Sequence, residues 1–314
     1  MATTGDETLL DEQRRRPQAA SAAIGAGILS LGGAILATRV FAGRPEAPLL
    51  GLLRERLQTP PPQPGLKAVE VGWYADNSSV LILVFVVLAL AAAAIGLALW
   101  HLYRSVKARR PELPRYALYA AIAGSVLVGV TGIAQVLHQT QRAAAFADGA
   151  NQTSVAAPDL LRSTFMVVVQ TLGGLGGLAL GAAIVMLSLN AMKVGLLTRF
   201  VGVLGIIVGV LFVLPIGSSL PLLPAFWFVA VGALFLGRWP RGLPPAWVTG
   251  DAQPWPTQQE QREARMAAQP DDDEQAGPRQ AKRLERAEPP ETPAPELPAR
   301  RPHSSSKKRK RRRR

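Results

Sequence analysis

Five stretches of the chain contain no Asp, Glu, Lys or Arg: Pro17–Thr38, Asn77–Tyr103, Tyr116–Gln141, Ser163–Met192 and Val201–Gly237. Each exceeds the roughly 20 apolar residues that a helix rising 1.5 Å per residue needs to cross about 30 Å of hydrocarbon. A buried helix of a soluble core usually stops well short of that length, and a membrane-spanning barrel would need alternating segments of about ten residues. Leu81–Leu90 is rich in Val and Leu but runs unbroken into Ala91–Leu99, so it reads as helix. The last stretch is too long for one helix. Pro215, Pro221 and Pro224, with Gly217, Ser218 and Ser219, mark a turn at its centre and predict a tight helical hairpin.

The expected fold is therefore all-α, a polytopic transmembrane helix bundle. Its six spans are expected at about residues 20–42, 78–102, 116–138, 163–190, 196–214 and 221–238. They make a membrane domain over 19–240, between a short amino-terminal segment at 1–18 and a carboxy-terminal tail at 241–314. Arg14–Arg16 ahead of the first apolar run also matches the layout of a signal peptide. The run is longer than a signal core and no clean cleavage site precedes Arg39, so an uncleaved anchor is expected.

Basic residues give the orientation. With the amino terminus inside, the inner segments hold 28 of the Lys and Arg residues and the outer segments 7, and the short inner loops are the denser in charge. Both termini are expected in the cytoplasm. The aromatic residues suit that frame: Trp100, Tyr103, Tyr116, Tyr119 and Trp239 fall at the inner interface, and Trp73 with Tyr74 at the outer one. His101 belongs to the same inner belt. On the outside, Leu49, Leu50, Leu53 and Leu57 of "PLLGLLRERLQT" can share one helical face, lying along the interface or packing over the bundle.

The formal net charge is +13, and the segment from Arg238 onward supplies 18 Lys and Arg against 11 Asp and Glu, so the positive character belongs mainly to the tail. The tail is rich in proline and almost empty of large aliphatic residues after Val248, a composition that predicts disorder. Within it, Thr257 and Glu260 form a capping-box pattern for a short polar helix. It ends on Lys307, Lys308, Arg309, Lys310, Arg311, Arg312, Arg313 and Arg314. In the cytoplasm such a run attracts anionic lipid headgroups, or RNA and ribosomes through counterion release. Phosphorylation of Ser304–Ser306 would weaken either attraction.

Small residues form the clearest pattern inside the membrane. Gly173, Gly177 and Gly181 recur at intervals of four in the fourth span, and Gly205 and Gly209 do so in the fifth. Similar rows occur at Ala22, Ala26, Ser30 and Ala34, and at Ala117, Ala121, Ser125 and Gly129. Stripes without side-chain bulk let helix backbones approach closely, inside one bundle or across a homo-oligomer interface. Polar candidates at depth are Gln135, His138 and Gln170, which could meet if the third and fourth spans pack together.

No acidic or basic residue lies inside the five apolar stretches, which argues against a proton- or ion-coupled carrier and against intramembrane aspartyl proteolysis. Ser125 and His138 sit roughly 20 Å apart along one helix, too far for a dyad. No metal-binding or phosphate-binding motif and no cysteine is present. The expectation is a non-enzymatic membrane protein without a cofactor. The competing possibility is an uncoupled carrier or channel for a small neutral solute.

The segment "NAMKVGLLTRFVGVLGIIVGVLFVLP", followed by "AFWFVAVGALFLGRWPRGLPPAW", resembles a group of uncharacterised bacterial multi-span membrane proteins. In that group a basic "GLLxRxxGxLG" stretch opens a hairpin that ends on "GRWP". The resemblance covers Asn190 to Trp247. It implies a bacterial inner-membrane location and carries over no site.

Overall fold

The computed structural model describes residues 5–60, 62–157, 163–213, 221–240 and 242–255, with residues 259, 260, 262, 263 and 266 beyond them. Residues 1–255 form one compact unit and 256–314 a second. In the second unit, Gln259 Nε2 donates to Glu263 Oε1 at 3.1 Å, one helical turn on, and Met266 is exposed. Thr257, the expected cap of that helix, lies outside the described residues.

Within the first unit the described elements are helical. They are α1 (Gly5–Phe41), α2 (Leu49–Arg56), α3 (Leu66–Asp76), α4 (Ser78–Arg109) and α5 (Tyr116–Ala147), followed by α6 (Thr164–Lys193), α7 (Arg199–Val213), α8 (Leu222–Phe235) and α9 (Ala246–Thr249). Four of them, α1, α4, α5 and α6, are long and apolar enough to cross a membrane. The two arms of the expected hairpin are apolar but shorter, at 15 residues for α7 and 14 for α8. They measure about 22 Å and 21 Å. The proposed turn between them lies outside the described residues, apart from Pro221 and Pro224.

The apolar helices pack in a closed circuit: α1 against α4, α4 against α5, α5 against α6, α6 against α7, α7 against α8 and α8 back against α1. The long helices also overrun the apolar runs that predict them. Helix α1 begins twelve residues before Pro17 and carries Asp11 to Arg16 as continuous helix, while α5 continues past Gln141 to Ala147. A helix that is already nucleated adds each further backbone hydrogen bond at little cost, so it does not stop where hydrocarbon would.

Helix contacts are made where side-chain bulk is missing. A Cβ on Gly181 of α6 would lie 2.5 Å from the Gly209 carbonyl oxygen of α7, and one on Gly209 would lie 2.7 Å from the Gly181 carbonyl oxygen. On the other side of α6, a Cβ on Gly124 of α5 would lie 2.8 Å from the Gly176 carbonyl oxygen. Gly27 of α1 meets α8 in the same way, with the Ala225 carbonyl oxygen 2.6 Å from a Cβ placed there. The core between these seams is filled by fully buried Trp227, Phe228, Phe235, Leu180, Ile184 and Leu187. Trp227 solves its polar problem by donating Nε1–H to the Val201 carbonyl of α7 at 2.9 Å.

At one end of the bundle, α2, α3 and residues 148–157 form a small cap over α5 with its own apolar cluster of Val71, Tyr74, Leu81, Val136 and Phe146. Buried Glu55 of α2 accepts from the Leu66 backbone amide at 3.2 Å and from Ser154 Oγ at 2.8 Å, tying the start of α3 to the loop after α5. Glu70 of α3 accepts from Lys67 Nζ at 2.8 Å and is paired with Arg44, which also donates to Tyr74 Oη at 3.0 Å. Leu49, Leu50, Leu53 and Leu57 do not pack over the bundle. They are all exposed, an apolar face turned outward.

The expectation of disorder from residue 241 fails for the first part of that segment. Residues 242–255 fold back onto the opposite end of the bundle, where Ala246 and Trp247 are buried. One tryptophan supplies the apolar surface that the composition of the whole segment appeared to lack.

Two predictions follow from these seams and this cap. Gly181→Val lowers thermal stability in detergent by about 1–3 kcal/mol through overpacking against α7, whereas Gly174→Ala, with nothing within 4 Å of its Cβ position, leaves it unchanged. Burial raises the carboxyl pKa of Glu70, but its hydrogen bond to Lys67 and the charge of Arg44 outweigh burial and hold it below the ordinary 4.5. The stabilisation it gives the cap is complete above that ordinary value and is lost as the pH falls through the depressed one. Amide-exchange protection in α3 should fall over that acid range, and Glu70→Gln should remove most of the pH dependence.

Candidate functional site at the basic end of the bundle

The sequence places clusters of basic residues just before the first span, after the second and before the third, after the fourth, and after the sixth. The fold brings these segments together at the end of the bundle opposite the α2–α3 cap. Arg109, at the end of α4, has a fully buried side chain and is paired with Glu12 of α1 through both carboxylate oxygens, with Nη2 3.0 Å from Oε2. The same Nη2 donates to the Ala246 carbonyl at 2.7 Å, and Nη1 donates to Ser105 O at 3.0 Å. One guanidinium thus joins α1, α4 and the carboxy-terminal segment. Arg110 next to it donates to Asn190 Oδ1 of α6 at 2.8 Å.

Trp247 is the apolar half of this junction. Its ring packs edge-on against Phe235 of α8 at 5.8 Å and lies under two guanidinium groups, those of Arg16 and Arg109, each 5.5 Å from the ring centroid. Its Nε1–H donates to the Leu196 carbonyl at 2.8 Å. Trp255 donates to the next carbonyl, that of Leu197, at 2.9 Å, and the Gln253 amide donates to Val194 O at 3.1 Å. Gly195 turns between them with φ +75°, a left-handed conformation that a residue with a side chain adopts only under strain. The turn after α6 is therefore a receptor for the carboxy-terminal segment.

A cavity of about 360 Å³ opens beside this junction, lined by Asp11, Arg15 and Arg16 of α1, His101 and Arg104 of α4, and Trp247. Arg15 and Arg104 share a single carboxylate, that of Asp11, at 2.9 and 3.9 Å. Arg16 donates to the Trp247 carbonyl at 3.2 Å, and Lys107 donates to the carbonyls of Pro111 and Leu113. The lining cations together with Arg109 number five, against the two carboxylates Asp11 and Glu12. The chemistry this arrangement supports is the binding of an anion. Among the described residues, no three of His, Asp and Glu gather into a group that could hold a metal ion.

Of the residues singled out in the sequence, Gly173 faces Thr131 of α5, while Gly177 and Gly181 face α7. The row of three therefore serves two neighbours. Gly205 faces Ser188 and Trp227, and Gly209 faces Gly181 and Val185. Gln135 and Gln170 do line one cavity, of about 320 Å³, between α4, α5 and α6. His138 does not line that cavity; its Nε2 is 2.9 Å from Ser163 Oγ and its ring 4.7 Å from that of Phe165. His101, expected in the inner aromatic belt, is buried against Trp100 and lines the basic cavity. Lys307–Arg314 lie outside the described residues. The Glu12–Arg109 pair and Trp247 were not singled out in the sequence. The available signals were the acids Asp11 and Glu12 just ahead of Arg14–Arg16 and a tryptophan in a proline-rich segment.

These features define a multi-span helical membrane protein whose basic loops close on a buried ion pair. No protein-family model, curated protein or solved structure matches the chain.

Removing one partner of the buried pair leaves the other charge uncompensated. Arg109→Met should destabilise the bundle by about 3–5 kcal/mol, and Glu12→Leu combined with Arg109→Met should recover most of that loss. Thermal unfolding of the purified proteins in detergent measures both.

Proposed function

We propose that this chain is a non-enzymatic six-span protein of a bacterial inner membrane, with both termini on the cytoplasmic side and a carboxy-terminal arm that docks on anionic lipid headgroups. The observation that carries the proposal is the convergence of the basic segments on one end of the bundle, through Glu12, Arg109 and Ala246, and through Arg110 and Asn190. A protein obeying the positive-inside rule keeps that end in the cytoplasm. In this orientation α7 and α8 complete the crossing as a pair of short helices, and the leucine face of α2 rests in the outer interface. Trp255 is fixed to Leu197 at the basic end, so the arm starts at the membrane surface. Its last eight residues are all basic, and each adds about 1 kcal/mol of attraction to an anionic leaflet.

Two measurements test the proposal. Reporter fusions should place the carboxy terminus inside and the α2–α3 segment outside; an outward carboxy terminus overturns the topology. The full chain in phosphatidylcholine nanodiscs should bind phosphatidylglycerol vesicles, and a variant with Lys307–Arg314 changed to Gln should not. Equal vesicle binding by both, or preferential capture of RNA, overturns the lipid-docking role.

A second reading draws on the cavity where Gln135 and Gln170 meet: an uncoupled carrier for a small neutral solute, hydrogen-bonded by amides within the membrane. Solute flux through the purified protein in liposomes, abolished by Gln170→Leu, would establish it.

A further inference from the structure

The outer face of the α4–α5 pair carries a groove of about 790 Å³. Its floor is made where the two helices touch through small residues. A Cβ on Gly129 would lie 3.6 Å from the Ala89 carbonyl oxygen, and one on Gly96 would lie 3.1 Å from Ser125 Cβ. Its walls are the exposed side chains of Leu97, Ile122, Val126 and Val130. On α4 it runs from Ala89 to Trp100, which is about 16 Å of helix, or close to one leaflet's share of the roughly 30 Å hydrocarbon thickness.

This groove ends at the basic cavity. Trp100 closes it, the Arg104 guanidinium lies 5.3 Å from the Trp100 ring centroid, and Arg104 also lines the cavity. The cavity holds the excess of cations described above, with Arg15 and Arg104 dividing one carboxylate between them. An acyl-length apolar channel that terminates on an undercompensated arginine, at the level of an aromatic belt, is complementary to one kind of molecule.

We propose that the α4–α5 groove and the adjoining cavity form a binding site for an anionic phospholipid. One acyl chain lies along Ala93, Gly96 and Gly129, and the phosphate lies against Arg104 and Arg15. A free phosphate would satisfy the cations and leave the groove unused. A zwitterionic lipid would fill the groove and bring no net charge to the cavity. The site depends on α4 and α5 crossing a membrane and is independent of the arm at Lys307–Arg314.

The test uses the full chain purified from membranes and relipidated with phosphatidylcholine alone or with roughly a 4:1 mixture of phosphatidylcholine and phosphatidylglycerol. Native mass spectrometry after detergent exchange counts the lipids retained. The wild type should keep phosphatidylglycerol in preference to phosphatidylcholine, and so should the variant with the arm's Lys307–Arg314 changed to Gln. Arg104→Gln should reduce that retention about fivefold, the effect of one basic contact, and Arg104→Lys should restore it. Ala93→Phe, which fills the groove from its exposed side without touching a charge, should reduce it as far as Arg104→Gln. Retention unchanged in both Arg104→Gln and Ala93→Phe overturns the site, as does equal retention of the two lipids. Displacement of the bound species by inorganic phosphate, with Ala93→Phe behaving as wild type, assigns the cavity to a free anion and overturns the lipid. Loss of retention in the arm variant alone moves the contact to the arm and overturns the site while leaving the arm's docking role standing.

Discussion

Lipid gives helices no apolar reward for leaving it, so this bundle depends on how closely bare backbone can approach bare backbone. Gly181 and Gly209 meet α6 to α7, Gly124 and Gly176 meet α5 to α6, and Gly27 admits α8 against α1. These contacts set the distances between axes, and the large residues fill what remains. Trp227 and Phe228 are fully buried because the seams on either side of them hold the helices at fixed separations. The same economy produces the outer groove, since α4 and α5 touch through Gly96, Ser125, Ala89 and Gly129 and leave their bulkier neighbours standing apart on the surface.

The two ends of the bundle are closed by different chemistry. At the α2–α3 end the closure is a set of partly exposed pairs, Glu70 with Lys67 and Arg44, and a carboxylate, Glu55, that substitutes for a helix cap. At the basic end the closure is a buried bidentate pair and a tryptophan between two arginines. Burying a charge is costly, and Arg109 is tolerated because Glu12, Ser105 and Ala246 all accept from it. Its loss would be felt in three elements at once, since it joins α1, α4 and residues 242–255.

That junction also links the helices to the segment that follows them. It binds residues 242–255 to the bundle through the carbonyls of Val194, Leu196 and Leu197. It also gathers more cations than carboxylates around one cavity. That cavity adjoins the apolar groove at Trp100 and Arg104, which joins the electrostatics of the loops to the packing of the helices.

The helical class and the position of each apolar run were legible in the sequence, because unbroken runs of 22 or more uncharged residues, without the ten-residue alternation of a barrel, can be buried in hydrocarbon only as hydrogen-bonded helix. The glycine rows were legible as contact surfaces but not as to which partner each residue meets: neighbours four apart in α6 share one stripe in a helical projection, yet α5 takes Gly173 and α7 takes Gly181. Gln135 and Gln170 could be paired in advance because both lie at matching depths of adjacent spans, whereas His138 contacts Ser163 just before α6 and does not line their cavity. What only the tertiary structure decided was the basic end. The pairing of Glu12 with Arg109 spans 97 positions, and the seat of Trp247 on Leu196 spans 51. Composition reports how much charge and apolar surface a segment carries; which carbonyl or carboxylate it will meet depends on where the intervening helices bring the chain back.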